Sequence, residues 1–283
     1  MTTRTNDQQR EHWNGDEASH WVDAADGYDR QLQPFGAALL EAMAVQPGEV
    51  VIDVGCGNGV TAIGAARTAK AVSGVDISAP MLAVARSRAA ELGVTNVDFV
   101  EADAQTHAFP FAAADVVMSR FGVMFFDDAA AAFSNFNRAL TPGGRIGFVS
   151  WRPLMENEWL LVPGAAAAAH VEIPPAGAAA DAPGMFSLSD PDAVRALLEG
   201  AGFSHIEITP IDTTITLGGG GTVEETLAFL LRTGIARALF AGASAEQRTL
   251  AIEAVRSALA STYKPGVGVR MGAAGWMVKG VKP

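Results

Sequence analysis

The chain has 283 residues, of which 49% are hydrophobic, and its 20 basic and 31 acidic residues give a formal net charge of −11. This length suffices for one large α/β domain, and the negative charge, with no run of Lys or Arg, disfavours nucleic acid as a partner and favours a small-molecule substrate. The lone cysteine, Cys56, excludes a disulfide within the chain and a cysteine-based zinc cluster, and the scattered histidines predict no metal site.

Residues 1–48 are predicted to form an N-terminal helical lid. The first residues are polar, and nowhere in the chain do 18 or more apolar residues follow one another without interruption. We therefore expect a soluble, cytoplasmic protein with no membrane partner.

Residues 49–151 alternate short β-branched runs with helical patterns, which is typical of a parallel sheet flanked by helices. Five strands are predicted here, at residues 49–54, 71–76, 97–102, 115–121 and 144–151. Ser78 is predicted to cap one connecting helix, and Asp127 or Asp128 to cap another, which buries Leu140 in its last turn. The segment is therefore expected to be a doubly wound, Rossmann-like core that binds a cofactor.

Residues 152–188 change character, since they hold five prolines and an alanine run, and they are predicted to form an inserted cap segment. Regular structure resumes over residues 189–283, which begin with a helix capped by Ser189 or Asp190. Two more strands are predicted in this part, from residue 203 to about 215 and near residues 269–281. The sheet is therefore expected to have seven strands.

Two capping boxes, Thr222 with Glu225 and Ser244 with Gln247, predict two cap helices between about residues 222 and 262. The apolar side chains of the first helix fall on one face: Leu227, Leu230, Leu231, Ile235 and Leu239. We expect the two helices to pack on each other over the site.

Three glycines at every second position follow the first predicted strand, in "VIDVGCGNGV". Gly55, Gly57 and Gly59 predict a tight turn whose backbone can approach a small ligand closely. Asp76 ends the second strand, where a carboxylate can accept hydrogen bonds from both hydroxyls of a ribose. The alternative interpretations are a purely structural glycine turn and a solvated acid.

A nicotinamide dinucleotide fits this pattern less well than S-adenosylmethionine does. The dinucleotide fingerprint has a third glycine where Val60 stands, and Asp53 would repel a pyrophosphate but attract an ammonium and a sulfonium. After the third strand, Asp103 can accept a hydrogen bond from an exocyclic amine while Ala104 leaves room for a flat base. Asp103 can alternatively cap a helix.

These motifs resemble those of the class I S-adenosylmethionine-dependent methyltransferases, in particular the bacterial ubiquinone- and menaquinone-biosynthesis type (methyltransferase type 11/25). The resemblance covers about residues 45–151 and rests on "VIDVGCGNG", "GVDIS", "EADA", "DVVMSRFGVMFFDD" and "RALTPGGRIGFVSW". It implies a mostly parallel sheet of order 3-2-1-4-5-7-6 with the seventh strand antiparallel, and S-adenosylmethionine as the cofactor.

The resemblance also implies a set of cofactor-binding residues. Gly55 and Gly57 would approach the methionine moiety with Asp53 beside it, and Asp76 would bind the ribose. The other implied residues would surround the adenine or close the underside of the cofactor: Ile77, Met81, Asp103, Ala104, Ser119 and Arg120.

The aromatic residues of the predicted lid, strand ends and insert indicate an apolar or aromatic acceptor. The predicted acceptor pocket comprises Trp13, Trp21, Phe121, Trp151 and Trp159. Core packing is the alternative interpretation of the phenylalanines in "FGVMFF".

No catalytic base is identified by the sequence, because methyl transfer from a sulfonium depends mainly on alignment. His170, in the predicted cap, is the first candidate, ahead of His107, His12 and His20. An ordinary surface or hydrogen-bonded histidine is the alternative for each.

Motifs of several other methyltransferase classes are missing from the sequence. Base-modifying nucleic-acid methyltransferases of this kind carry Asn or Asp, then Pro-Pro and an aromatic residue, where this chain has "SRFG". Asp127 and Asp128 are better explained as helix caps than as magnesium ligands, and Cys56 alone would not bind arsenite. We therefore predict methyl transfer to the O, N or C atom of a small molecule by a monomer or homodimer. A nicotinamide-dependent oxidoreductase and a non-catalytic adenosyl-binding module are the alternatives.

Overall fold

The structure is a computed structural model that describes residues 6–172 and 184–283. Its strands are β1 Val50–Val54, β2 Ala71–Asp76, β3 Val97–Glu101, β4 Ala114–Arg120, β5 Leu140–Trp151, β6 Ser204–Thr216, β7 Tyr263–Lys264 and β8 Gly268–Val281. Its helices are α1 Asp7–His12, α2 Asp16–Asp23, α3 Ala25–Met43, α4 Val60–Ala66, α5 Ala79–Glu91, α6 Ala129–Ala139, α7 Glu158–Ala168, α8 Pro191–Gly200, α9 Val223–Leu231, α10 Gly234–Phe240 and α11 Ala245–Ser261.

The long strands pair in the order β3-β2-β1-β4-β5-β8-β6. Strands β1 to β5 are parallel, whereas β8 runs antiparallel to both β5 and β6. The predicted seven-stranded order, with the last long strand antiparallel, is therefore confirmed. The two-residue strand β7, which pairs only with β8, was not predicted.

The central strands are buried because helices cover both faces of the sheet. Val51 and Val54 on β1 and Val75 on β2 are fully buried, as the continuous apolar runs of a parallel sheet require. On one face, Phe35 and Leu39 of α3 are also fully buried in the same core. Because β1 to β4 are parallel, their carboxyl ends lie at the same edge of the sheet.

Five of the described helices begin at predicted caps. The Ser78 hydroxyl accepts a hydrogen bond from the backbone N–H of Met81, and both predicted capping boxes are present. Of the paired alternatives, Asp128 caps α6 and Asp190 caps α8. Leu140 is buried as expected, but it has an extended backbone and begins β5, so its predicted place in the helix is wrong.

The prediction that the first cap helix is one continuous helix is wrong. It is divided into α9 and α10, because the Thr233 hydroxyl accepts from the N–H of Ala236 and starts a new helix. The predicted apolar face is therefore interrupted, and Ile235 is 44% exposed. Helix α11 contacts α9, as expected, but it packs more extensively against α7.

The predicted cap segment is described in part. Residues 158–168 form α7, while residues 173–183 lie outside the described residues. In the described part of the chain, no helix combines the length and apolar character needed to cross a membrane.

Candidate active site

A cavity of about 870 Å³ opens at the carboxyl ends of the central parallel strands. Its walls come from the glycine turn, the loops after β2, β3 and β4, the N-terminal helices, and helices α7, α9 and α10. The predicted site residues that line it are Gly55, Gly57, Asp76, Ile77, Met81, Asp103, Ala104, Arg120, Trp13, Trp21, Phe121, Trp151 and Trp159. The cavity therefore joins the predicted cofactor and acceptor residues in one space.

The glycine turn has a shape that other residues would not adopt easily. Gly55, Gly57 and Gly59 have φ values of 63°, 52° and 83°. A Cβ atom on Gly55 would lie 2.7 Å from the Cα of Gly122, and one on Gly57 would lie 2.8 Å from the Cε of Met81. The turn therefore presents bare backbone to the cavity, which is the kind of cradle a small ligand needs.

Asp76 holds this turn in place while it lines the cavity. Its two carboxylate oxygens accept hydrogen bonds from the N–H groups of Gly57, at 2.7 Å, and Ser78, at 2.8 Å. Burial raises the pKa of Asp76, and these backbone hydrogen bonds partly offset that effect. Each oxygen keeps a second lone pair with which it can accept from a ligand hydroxyl.

Asp103 is held in a similar way by its own loop and by the N-terminus. Its Oδ1 atom accepts from the side chain of Asn6 at 2.7 Å and from the N–H of Gln105 at 2.9 Å. The Asn6 oxygen in turn accepts from the N–H of Asp127 at 2.8 Å. The buried Asn6 side chain thus links the loops that follow β3 and β4.

A second asparagine, Asn14, attaches the N-terminal helices to the loop after β2. Its side-chain nitrogen donates to the carbonyl of Ile77, and its side-chain oxygen accepts from the N–H of Ala79, both at 3.0 Å. Sequence reasoning missed Asn6 and Asn14, because isolated asparagines near short helices carry no spacing signal.

Asp53 and Ser119 lie behind the turn and do not line the cavity, so the structure gives no direct support to their predicted places beside the cofactor. Asp53 is fully buried, and its Oδ2 atom accepts from the hydroxyl of Thr61 at 2.6 Å. Its other oxygen has no hydrogen-bond partner among the described residues, and burial raises its pKa to about 7. The Ser119 hydroxyl donates to the carbonyl of Val54 and accepts from Gly122, and so shapes the backbone.

Arg120 lines the cavity within a chain of charges. Its Nη2 atom lies 3.6 Å from Oδ1 of Asp29, whose other oxygen accepts from Nη1 of Arg88 at 2.6 Å. Burial lowers the pKa of the Arg120 guanidinium, and the charge of Asp29 opposes this effect. The positive charge of Arg120 is therefore balanced chiefly by Asp29, which lies on α3.

Stacked aromatic rings form two parts of the cavity wall. Phe121 and Trp151 stack with their ring centroids 4.0 Å apart, and Trp159 lies 5.1 Å from Trp151. Trp21 and Tyr28 stack at 3.7 Å. Phe121 has a φ of 63°, which is unusual for a bulky residue and marks a strained backbone at the end of β4.

The histidine candidates are not gathered at this site. His170 lies beyond the end of α7 and does not line the described cavity, so the structure gives no support to its predicted catalytic role. His20 is buried against Tyr28 and Phe229, and burial lowers its pKa. Of the four candidate histidines, only His12 lines the described cavity, and its side chain is exposed.

Comparison with known proteins identifies the central part of the chain. Residues 51–144 match the family model described as "Methyltransferase domain". These residues, about a third of the chain, are thus similar to the class I S-adenosylmethionine-dependent methyltransferase family. S-adenosylmethionine is the cofactor of this family, and the glycine cradle with Asp76 fits it. Membership of the ubiquinone- and menaquinone-biosynthesis branch stays a prediction.

Two curated relatives and one solved structure illustrate the similarity. Aklanonic acid methyltransferase DauC from Streptomyces sp. (strain C5) is 37% identical over 44% of this chain and 59% of its own length. Nocamycin O-methyltransferase from Saccharothrix syringae is 33% identical over 62% of this chain and 66% of its own length. Each alignment thus spans less than two thirds of the relative.

The solved structure of the YcgJ protein from Bacillus subtilis superposes on 87% of this chain and 97% of its own, with a TM-score of 0.58. Its sequence identity of 18% means that this likeness concerns the fold alone.

Proposed function

We propose that this protein transfers a methyl group from S-adenosylmethionine to an oxygen atom of a small, apolar or aromatic acceptor. The observation that carries the proposal is a single cavity of about 870 Å³ that includes both the glycine cradle and the aromatic walls. A volume in the upper part of the range for ligand pockets, roughly 300–1,000 Å³, is suitable for a cofactor and an acceptor together.

Within the cavity, we assign the cofactor to the residues at the carboxyl ends of β1 to β4. Asp76 would accept hydrogen bonds from the ribose, and Asp103 with Ala104 would bind the edge of the adenine. The remaining cofactor contacts would come from Gly55, Gly57, Ile77, Met81 and Arg120. The buried Asp53 and Ser119 would act indirectly, by holding the turn.

The acceptor would occupy the aromatic part of the same cavity. Phe121, Trp151 and Trp159 form one continuous set of ring contacts, and Trp13 contacts Phe125 at 5.3 Å. Such walls bind flat apolar molecules and exclude water. Transfer to oxygen is supported by the name of one relative, nocamycin O-methyltransferase.

The chemistry requires alignment more than an additional reactive group from the protein. The cofactor supplies an electrophilic methyl group on a sulfonium, whose positive charge disappears on transfer. Rigid aromatic walls can orient the acceptor, and orientation alone can lower a barrier by roughly 7–11 kcal/mol. The described side chains are therefore expected to bind, orient and exclude water.

The direct test combines cofactor binding with a transfer assay. Calorimetry is expected to show S-adenosylhomocysteine binding to the wild type, and Asp76→Ala is expected to weaken that binding by about 1.5–3 kcal/mol, the value of a hydrogen bond to a charged group. Methyl-labelled S-adenosylmethionine incubated with a panel of hydroxylated and acidic aromatic compounds is expected to yield a labelled ether or ester. Tight cofactor binding without transfer to any acceptor class would contradict the enzymatic proposal.

A further inference from the structure

Glu17 is an acidic side chain of the cavity wall to which we assign no contact with the cofactor. It lies on α2, is 9% exposed and lines the cavity. Its Oε1 atom accepts a hydrogen bond from the indole of Trp21 at 3.3 Å, and its Oε2 atom pairs with Nη2 of Arg237 at 2.7 Å. Two groups thus hold the carboxylate in a defined orientation.

The other carboxylates of the lining have structural partners or places in the cofactor loops. Asp76 accepts two hydrogen bonds and Asp103 three, which organise those loops, and Asp29 binds Arg88 and lies beside Arg120. Glu17 faces a different wall, because its partner Arg237 belongs to α10, from which Ile235 and Ala238 also line the cavity. Glu17 therefore lies at an apolar wall, apart from the carboxylates of the cofactor loops, with Arg237 as its ion-pair partner.

The charges of the lining also discriminate between acceptor types. Among the described residues that line the cavity, Arg120 is the sole Lys or Arg, and Asp29 lies beside it. An anionic acceptor would consequently meet no free guanidinium or ammonium group and would be repelled by Glu17. A neutral hydroxyl, by contrast, can donate a hydrogen bond to the carboxylate, which gains strength in a site that excludes water.

We propose that Glu17 accepts a hydrogen bond from the acceptor hydroxyl and makes the enzyme selective for neutral phenols and enols over carboxylates. This inference rests on the proposed function and adds the residue that determines acceptor class. The Trp21 indole acts as the positioning group, since it donates to one oxygen of the Glu17 carboxylate, while Arg237 attaches the other oxygen to α10.

Three probes of equal ring size test the inference without requiring turnover: 2-naphthol, 2-methoxynaphthalene and 2-naphthoate. Each is titrated calorimetrically into the protein saturated with S-adenosylhomocysteine at pH 7.5. The wild type is expected to bind 2-naphthol about tenfold more tightly than 2-methoxynaphthalene, as a hydrogen bond to a charged group implies, and to bind 2-naphthoate least tightly.

Glu17→Gln is expected to reduce the preference for 2-naphthol over 2-methoxynaphthalene to about twofold and to strengthen 2-naphthoate binding, because the repelling charge is gone. Glu17→Asp, which withdraws the carboxylate by one methylene, is a second variant and is expected to lose part of the same preference. Bound S-adenosylhomocysteine in each variant confirms a folded site.

Two controls separate ligand recognition from attachment of α2 to the cap. Asp23→Asn removes the same charge from the same helix and breaks a comparable ion pair, with Arg232, but Asp23 does not line the cavity. Arg237→Met removes the partner of Glu17 and keeps the carboxylate. Both variants are expected to keep the naphthol preference, since a loosened lid would weaken both neutral probes equally.

Each outcome bears on one part of the proposal. An unchanged naphthol preference in Glu17→Gln, or weakened S-adenosylhomocysteine binding as its sole effect, would overturn the role of Glu17 and leave the proposed function intact. Failure of the wild type to bind either neutral probe would overturn the acceptor class together with Glu17. Failure to bind S-adenosylhomocysteine would overturn the proposed function itself.

Discussion

At the scale of single residues, Gly122 is as constrained as the glycines of the turn it supports. A Cβ atom on Gly122 would lie 2.7 Å from the carbonyl oxygen of Val54 and 2.8 Å from the Cα of Gly55, and neither backbone atom has room to move. We expect Gly122→Ala to lower the free energy of unfolding by roughly 1–3 kcal/mol and to weaken S-adenosylhomocysteine binding, because the turn is displaced.

Urea unfolding and calorimetry check this prediction. Gly164→Ala is the matched control, because a Cβ there meets nothing within 4 Å inside helix α7 and alanine favours a helix. Equal stability of the two variants would show that the Gly55–Gly122 contact is not tight.

The buried carboxyl of Asp53 predicts a specific pH dependence of stability. Burial raises its pKa to about 7, whereas the unfolded chain has the ordinary value of 3.8, so between these values the folded protein binds a proton that the unfolded chain has lost. Stability from this group is therefore complete at low pH and is lost as the pH rises through about 7.

Asp53→Asn keeps the shape of the side chain and removes its titration. Relative to this variant, the wild type is expected to lose about 1–1.5 kcal/mol of unfolding free energy between pH 6 and pH 8. Urea unfolding of both proteins at the two pH values measures the difference. A parallel change in both proteins would mean that Asp53 is ionised throughout this range.

At the scale of elements, the N-terminal helices are attached to the same loops that we assign to the cofactor. Asn14 binds the loop after β2 through two hydrogen bonds, and Asn6 bridges the loops after β3 and β4. Release of a bound cofactor therefore requires some of these bonds to break.

We expect Asn14→Ala to speed the release of S-adenosylhomocysteine about three- to tenfold, because its two exposed hydrogen bonds to the loop after β2 are removed. Stopped-flow displacement by excess ligand, followed through tryptophan fluorescence, measures this rate. Ser19→Ala is the control, since Ser19 lies on the neighbouring helix α2 and its hydroxyl donates to the backbone carbonyl of Gly15. Identical release rates in all three proteins would show that these helices do not gate the cofactor.

At the scale of the whole molecule, one ligand site joins elements that are far apart in sequence. The cavity collects residues from α1 and α2 at one end of the chain and from α9 and α10 near the other. A ligand bound there is expected to stabilise the chain as a unit. S-adenosylhomocysteine at 100 times its dissociation constant should add about 2.7 kcal/mol and raise Tm by roughly 5–10 °C.

Scanning calorimetry with and without ligand checks this expectation. NAD at the same concentration is expected to leave Tm unchanged, because Val60 stands where the dinucleotide fingerprint has its third glycine. A comparable rise with NAD would instead support a dinucleotide site.

Much of the fold could be predicted because its signals are local. Helix starts at Ser78, Thr222 and Ser244 depend on one side chain and the backbone three residues on, and the prediction was confirmed at each. The break at Thr233 was missed, since an apolar stripe at helical spacing continues across it and only the packing of α9 and α10 reveals the interruption.

The sequence by itself determined the parallel core, its strand order through family resemblance, and the turn built on Gly55 and Gly57. These depend on short-range patterns: apolar runs, caps, and glycines at positive φ. Only the tertiary structure decided that Asp53 and Ser119 lie behind the turn, that His170 lies outside the cavity, and that Glu17 and Asn6 line it. The attachment of Asn14 to the loop after β2 was likewise decided by the tertiary structure. Those outcomes depend on contacts between segments tens to hundreds of residues apart, and no local spacing encodes which side chain of a helix meets a distant loop.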